Sequence, residues 1–195
     1  MDRLLRTWSS GVMTIDSQTP TTDSTRFDRG DQARHRRRVV DTLAAKSFMT
    51  LATASSRGIP HAAGVSYSLG ERGAHDDLSD MTLYVSTMRS SRKARNVEAT
   101  GRAAIVVPVR KLPIGPPFTI QFQADADVVA ATDPEIVGLA NAGRLKAVTS
   151  HGELDEPDGC FIRLRPHGRV HSYGLGVSMI ALARDPLHVG ARAIG

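Results

Sequence analysis

One short run of residues carries most of the chemistry this chain could do. In Leu83-Tyr84-Val85-Ser86-Thr87-Met88-Arg89-Ser90-Ser91-Arg92-Lys93-Ala94-Arg95-Asn96, hydroxyl groups are interleaved with cations. The apolar opening reads as a strand that ends at Ser86-Thr87, and a helix begins near Ser90 or Ser91. Serine favours the N-cap position because its hydroxyl accepts from a free helix N–H. The open N–H groups and the positive end of the helix dipole make such a corner an anion site. Arg92 and Lys93 place two full charges in the first turn, where cations are unfavourable unless an anion neutralises them. The plainer alternative is a solvated basic face of Arg89, Arg92, Lys93 and Arg95, and spacing alone leaves the two open.

Other chemistries find less support. His61, His75, His151, His167, His171 and His188 are scattered, with no pair at helical metal spacing beside an acid, so no metal site is expected. Cys160 is the single cysteine, which excludes an internal disulfide, and its place before an apolar strand predicts burial. No G-x-S-x-G setting supports a serine nucleophile, and Gly174-Leu175-Gly176 is too short for a dinucleotide loop. The cluster Arg34-His35-Arg36-Arg37-Arg38 is a nucleic-acid contact or a solvated helix start. It lacks interleaved aromatics, a recognition helix or zinc-finger spacing, so nucleic acid is the least favoured partner.

The elements that must position the corner are mostly strands. A chain of 195 residues with 41% hydrophobic and 23% charged residues is one ordinary globular domain, and its net charge of +5 attracts phosphates of every kind. No apolar run approaches the roughly 20 residues of a membrane helix, and no secretory signal is read at the start. Residues 1–33 read as a mobile arm, polar and without apolar periodicity. Val39, Val40, Leu43 and Ala44 recur at helical spacing and predict a helix ending near Lys46. Strands are predicted at 48–54, 61–68 and 81–86, with a polar loop at 70–80 between the last two. The apolar run 103–109 reads as a strand covered on both faces. In 118–128 apolar and polar residues alternate strictly, the pattern of a strand with one buried face. Thr132-Asp133-Pro134-Glu135 opens a helix. Two short strands, 160–164 and 169–171, close the domain, and 174–195 is a tail without a readable pattern. Six or seven short strands in hairpin order with flanking helices give a β-rich α+β class, an antiparallel barrel.

The strand, Ser-Thr, short gap and Ser91-Arg92-Lys93-Ala94 helix, followed by Gly101-Arg102-Ala103-Ala104-Ile105-Val106-Val107-Pro108, resembles the pyridoxamine 5′-phosphate oxidase-like split β-barrels. The hairpin Leu51-Ala52-Thr53-Ala54…Gly58-Ile59-Pro60-His61 resembles the opening of these domains. The resemblance spans roughly residues 39–171, within a barrel domain taken as 34–173. It implies that Ser91, Arg92 and Lys93 hold a cofactor phosphate and that Ser86 and Thr87 contact the phosphate or ribityl chain. It also implies that the strand Ala63-Gly64-Val65-Ser66 lies along a flavin ring, with Gly64 admitting close approach of that ring. The true oxidases carry arginine and lysine where this chain has Ala63 and Ser68, and a glutamine where it has Pro117. Arg169 and His171 offer the residue types of their substrate motif, with Tyr173 nearby.

The resemblance is therefore to the branch using FMN or the deazaflavin F420, a few members of which bind haem or biliverdin. It implies a homodimeric oxidoreductase that moves a hydride to or from a small organic substrate, and the single cysteine fits a reducing cytoplasm. A non-catalytic flavin or tetrapyrrole carrier or sensor is the alternative, and a basic nucleic-acid-associated protein the second.

Overall fold

A computed structural model describes residues 29–70, 78–109, 118–150, 152, 154–185 and 190–194. Most of the expected arm at 1–33, most of the loop at 70–80, Pro117, His75, His151 and His188 lie outside the described residues. The chain runs α1 (Arg29–Ala45), β1 (Phe48–Ala54), β2 (Pro60–Ser66), β3 (Ser68–Leu69), β4 (Leu83–Met88), α2 (Arg92–Thr100) and β5 (Arg102–Val109). It continues as β6 (Phe118–Ala130), α3 (Pro134–Asn141), β7 (Gly159–Tyr173), α4 (Met179–Arg184) and β8 (Ala191–Ile194).

The strands form one antiparallel sheet in the order β2-β1-β5-β6-β7-β4-β3, with β8 added beside β7. β2 and β3 stand at opposite ends of that order, yet only Tyr67 separates them in the chain. The sheet must therefore curl until its ends meet. Tyr67 N–H donates to Ser47 O at 2.8 Å as the chain crosses, so the predicted strand at 61–68 is two strands in two places. This is a split β-barrel of the β-rich α+β class.

Its core is filled mainly by aliphatic side chains, as the scarcity of aromatics requires. Val39, Val40 and Leu43 of α1 join Met49, Leu51, Ile105, Ile120 and Ile162 there. A smaller core, centred on Ile136, Leu145 and Phe161, packs α3 onto the sheet.

Three further sequence expectations are corrected. The run 103–109 is not covered on both faces: burial along β5 alternates, leaving Ala104, Val106 and Pro108 exposed in the single chain. The strands expected at 160–164 and 169–171 are one strand, β7, whose pairing with β6 shifts beside Gln121 and Gln123. Gly168, at φ +71°, supplies the left-handed residue that lets β7 bulge there without ending. Residues 174–195, patternless in sequence, contain α4 and β8.

Two polar contacts tie these layers together. Arg163 of β7 donates to both oxygens of Asp127, at 2.6 and 3.1 Å, and also reaches Glu135 of α3, which accepts from Tyr84. With its side chain only 22% exposed, Arg163 is less screened than an ordinary surface partner. Arg163→Met should lower the unfolding free energy by about 2 kcal/mol, between exposed and buried pairs, as urea denaturation would show. An unchanged midpoint would mean the network contributes nothing.

His35 of α1 is the second contact. It is buried, and its Nε2 lies 2.8 Å from Ser172 Oγ of β7. Burial holds its pKa below the usual value, helped by Arg192 and Arg38 and opposed by Asp31. The neutral form is thus favoured when folded, while the unfolded chain takes up a proton near pH 6.5. Stability is full above that pH and falls as pH drops through the lower folded pKa. His35→Gln should flatten this acid loss between pH 7.5 and 5 in parallel denaturation curves; identical slopes in both proteins would refute the assignment.

Candidate cofactor-phosphate site

β4 ends at Met88, and a three-residue turn leads into α2. Ser91 is the N-cap: its φ/ψ of −68°/152° is extended, and its Oγ accepts from Ala94 N–H at 3.3 Å. Thr87 Oγ1 donates to the same oxygen at 3.1 Å. Among the described residues no backbone hydrogen bond around the corner uses the N–H of Arg92 or Lys93, which are left open by helix geometry. The Arg92 side chain is exposed and that of Lys93 half-buried, and neither makes an ion pair among the described residues.

The neighbouring groups are already committed. Arg89 pairs with Glu98 at 3.0 Å. Ser90 donates to Asp158 through N–H at 3.1 Å and Oγ at 2.6 Å, and these bonds hold the Asp158 carboxyl below its usual pKa. Asp158 thus fixes the turn that leads into Ser91, Arg92 and Lys93. Nothing in the sequence pointed to Asp158, which is 68 residues from Ser90. α2 itself is docked by Asn96, whose buried amide donates to Thr53 Oγ1 of β1 at 3.0 Å.

The strand proposed to lie along a ring is close by. β2 pairs only with β1 among the described residues and approaches both β4 and α2. Its outer edge therefore offers backbone groups without strand partners. Val65 is buried, Ala63 is half-buried, and Gly64 and Ser66 are exposed. A flat ring does lie over Gly64, and it belongs to this chain: a Cβ there would stand 2.9 Å from Cζ of Phe48. His61, also on β2, has a buried Nδ1 without a hydrogen-bond partner among the described residues.

Arg169 and His171 are not brought to this corner. β7 meets β4 through residues 159–164, and the bulge carries Arg169 and His171 toward its other end. There His167, Arg169 and His171 border a cavity of about 500 Å³ on the outer sheet face with Val106, Gln121 and Gln123. Tyr173 sits further along, opposite Thr119 and Ala191. Cys160 is buried, and burial pushes its thiol pKa up, so it is no ready nucleophile. No three His, Cys, Asp or Glu side chains gather as a metal site among the described residues.

A family model described as pyridoxamine 5′-phosphate oxidase matches residues 36–169, from α1 through the bulge of β7. The chain belongs to this family. No curated protein matches it. Among solved structures it is similar to HutZ, the haem storage protein of Vibrio cholerae, at 18% identity over 76% of this chain and 96% of that one, with a TM-score of 0.54. A haem-binding protein of Mycobacterium smegmatis is similar at 19% identity, over 86% and 59% of the two chains, with a TM-score of 0.59. Campylobacter jejuni ChuZ is similar at 11% identity, over 80% and 57%, with a TM-score of 0.57. At these identities the likeness shows the family fold alone. No helix among the described residues is long and apolar enough to cross a membrane.

Proposed function

We propose that this family member binds FMN, with F420 as the alternative, and acts as an oxidoreductase on a small organic substrate. The observation that carries the reading is the pair of open N–H groups and unpaired cations at Arg92 and Lys93. A phosphate there would complete a corner that is otherwise two like charges against a helix dipole. Ser91 caps the helix, Ser86 and Thr87 border the approach from β4, and the 63–66 edge of β2 offers backbone groups to a ring. When bound, the ring supplies the hydride chemistry; the protein orients it and excludes water.

A homodimer belongs to this reading. Phe48 and Val106 are exposed on the outer face of β1 and β5, at 53% and 36%, and a second copy would cover them. Pairing there would also set the Arg169 and His171 cavity against a neighbouring chain.

The cavity beside His167 and His171 favours one other reading, a tetrapyrrole carrier in which a histidine ligates haem iron. A single titration series separates them. FMN, F420 and haem are added in turn to the purified protein and followed by absorbance and fluorescence. Saturable one-to-one binding of FMN or F420 supports the oxidoreductase reading, whereas a haem Soret shift with no flavin binding overturns it in favour of the carrier.

A further inference from the structure

We propose that a second anion site lies in the cleft between the end of α1, β3 and the turn after α3, and that it takes a small, multiply charged phosphate or carboxylate. The cleft has a volume of about 320 Å³, within the small-molecule range. Lys46, Arg144 and Lys146 line it, and no acidic residue does among the described residues. None of the three cations has an ion-pair partner among the described residues. Three like charges gathered around a concavity repel one another and focus a positive potential into it. A groove along α1 shares Lys46 with the cleft; Arg34, Arg37 and Arg38 line it together with Asp41, and Arg34 pairs with Asp31.

The second observation is Ser68. Only 5% exposed, it lines the cleft, and its Oγ is buried with no hydrogen-bond partner among the described residues. Such a hydroxyl is costly to leave unpaired. The neighbouring Tyr67 hydroxyl is not in this position, because it donates to Leu43 O at 2.7 Å. Local geometry also holds one cation in place. Gly143 turns at φ +70°, and a Cβ there would stand 3.1 Å from Lys146 Cε, so the lysine stem lies over the glycine. Lys46 follows the carbonyl end of α1 and complements its dipole, which explains that charge locally. Arg144 likewise follows the carbonyl end of α3, its N–H donating to Leu139 O at 2.9 Å.

The cleft is distinct from the α2 corner. Ser68 and Leu69 pair with Tyr84 and Leu83 at one end of β4, while Ser91 follows Met88 at the other. Leu83 to Met88 spans about 16 Å of strand. The inference does not rest on flavin binding.

Calorimetric titration with inorganic pyrophosphate and, separately, citrate tests it at low and physiological salt. Wild-type protein should bind at least one of them saturably, at one site per chain besides any the Arg92/Lys93 corner supplies, and the preferred probe tells phosphate from carboxylate. Arg144→Ala/Lys146→Ala, both at exposed positions, should weaken that binding on the order of tenfold or more. Arg92→Ala/Lys93→Ala should leave it unchanged, and FMN binding should be the same in wild type and Arg144→Ala/Lys146→Ala. Equal affinity in the Arg144/Lys146 variant, loss in the Arg92/Lys93 variant instead, or no saturable binding to wild type would each overturn the proposal.

Discussion

Replacing Arg92 and Lys93 together with alanine is expected to weaken FMN binding by about a hundredfold or more. Each side chain offers a charge-assisted contact to a phosphate, worth roughly 1.5–3 kcal/mol, and every 1.4 kcal/mol is about tenfold in affinity. The backbone N–H groups survive the substitution, so residual weak binding is the expected result. The fold should also survive. The Arg92 side chain is exposed, and α2 is anchored elsewhere, by Ala94, Asn96 and Val97. Alanine also removes two cations from the wrong end of a helix dipole, so the empty variant should be no less stable than wild type. Fluorescence titration of FMN, read beside a thermal melt, makes the test. Unchanged affinity would sink the site; lost affinity with a lowered melting temperature would show a folding defect.

Val106→Asp is expected to convert the proposed dimer into a monomer. Val106 sits mid-strand on the outer face of β5, opposite Thr50 on β1 and Gln121 on β6. That face is apolar where strand alternation would ordinarily place polar residues, with Ala104 and Pro108 on either side. In a two-fold interface each substitution acts twice, and an unpaired buried carboxylate costs about 3–5 kcal/mol. The dimer dissociation constant should therefore rise by at least about a thousandfold, even after partial hydration of the charge. Sedimentation velocity over a concentration series reads this directly. A Val106→Asp dimer as tight as wild type would place the interface elsewhere, and a monomeric wild type would remove the dimer from the proposed function.

What the sequence determined by itself is local. Serine at 91 caps a helix because its hydroxyl reaches Ala94 N–H three residues on, and Asp133 caps α3 in the same way through Glu135 N–H. The alternation of 118–128 became a strand with one buried face because period two is a property of the strand itself. The candidate anion corner could be proposed from sequence for the same reason: its hydroxyls and cations lie within eight residues, from Ser86 to Lys93.

Tertiary structure alone decided whatever depended on a distant partner. Periodicity shows that β5 is apolar on both faces, but not that this chain covers only one of them. The polar residues around Gly168 read as a break between strands, yet continued pairing with β6 on both sides carries β7 through. Asp158 holds the turn before Ser91, and Ser172 meets His35 across 137 residues. Lys46 shares a cleft with Arg144 and Lys146 because the curled sheet brings the end of α1 to the turn after α3. Local rules act over one turn of helix or one pleat of strand, whereas these contacts are set by strand order and register. Closing the barrel fixes that order, and no short stretch of sequence contains it.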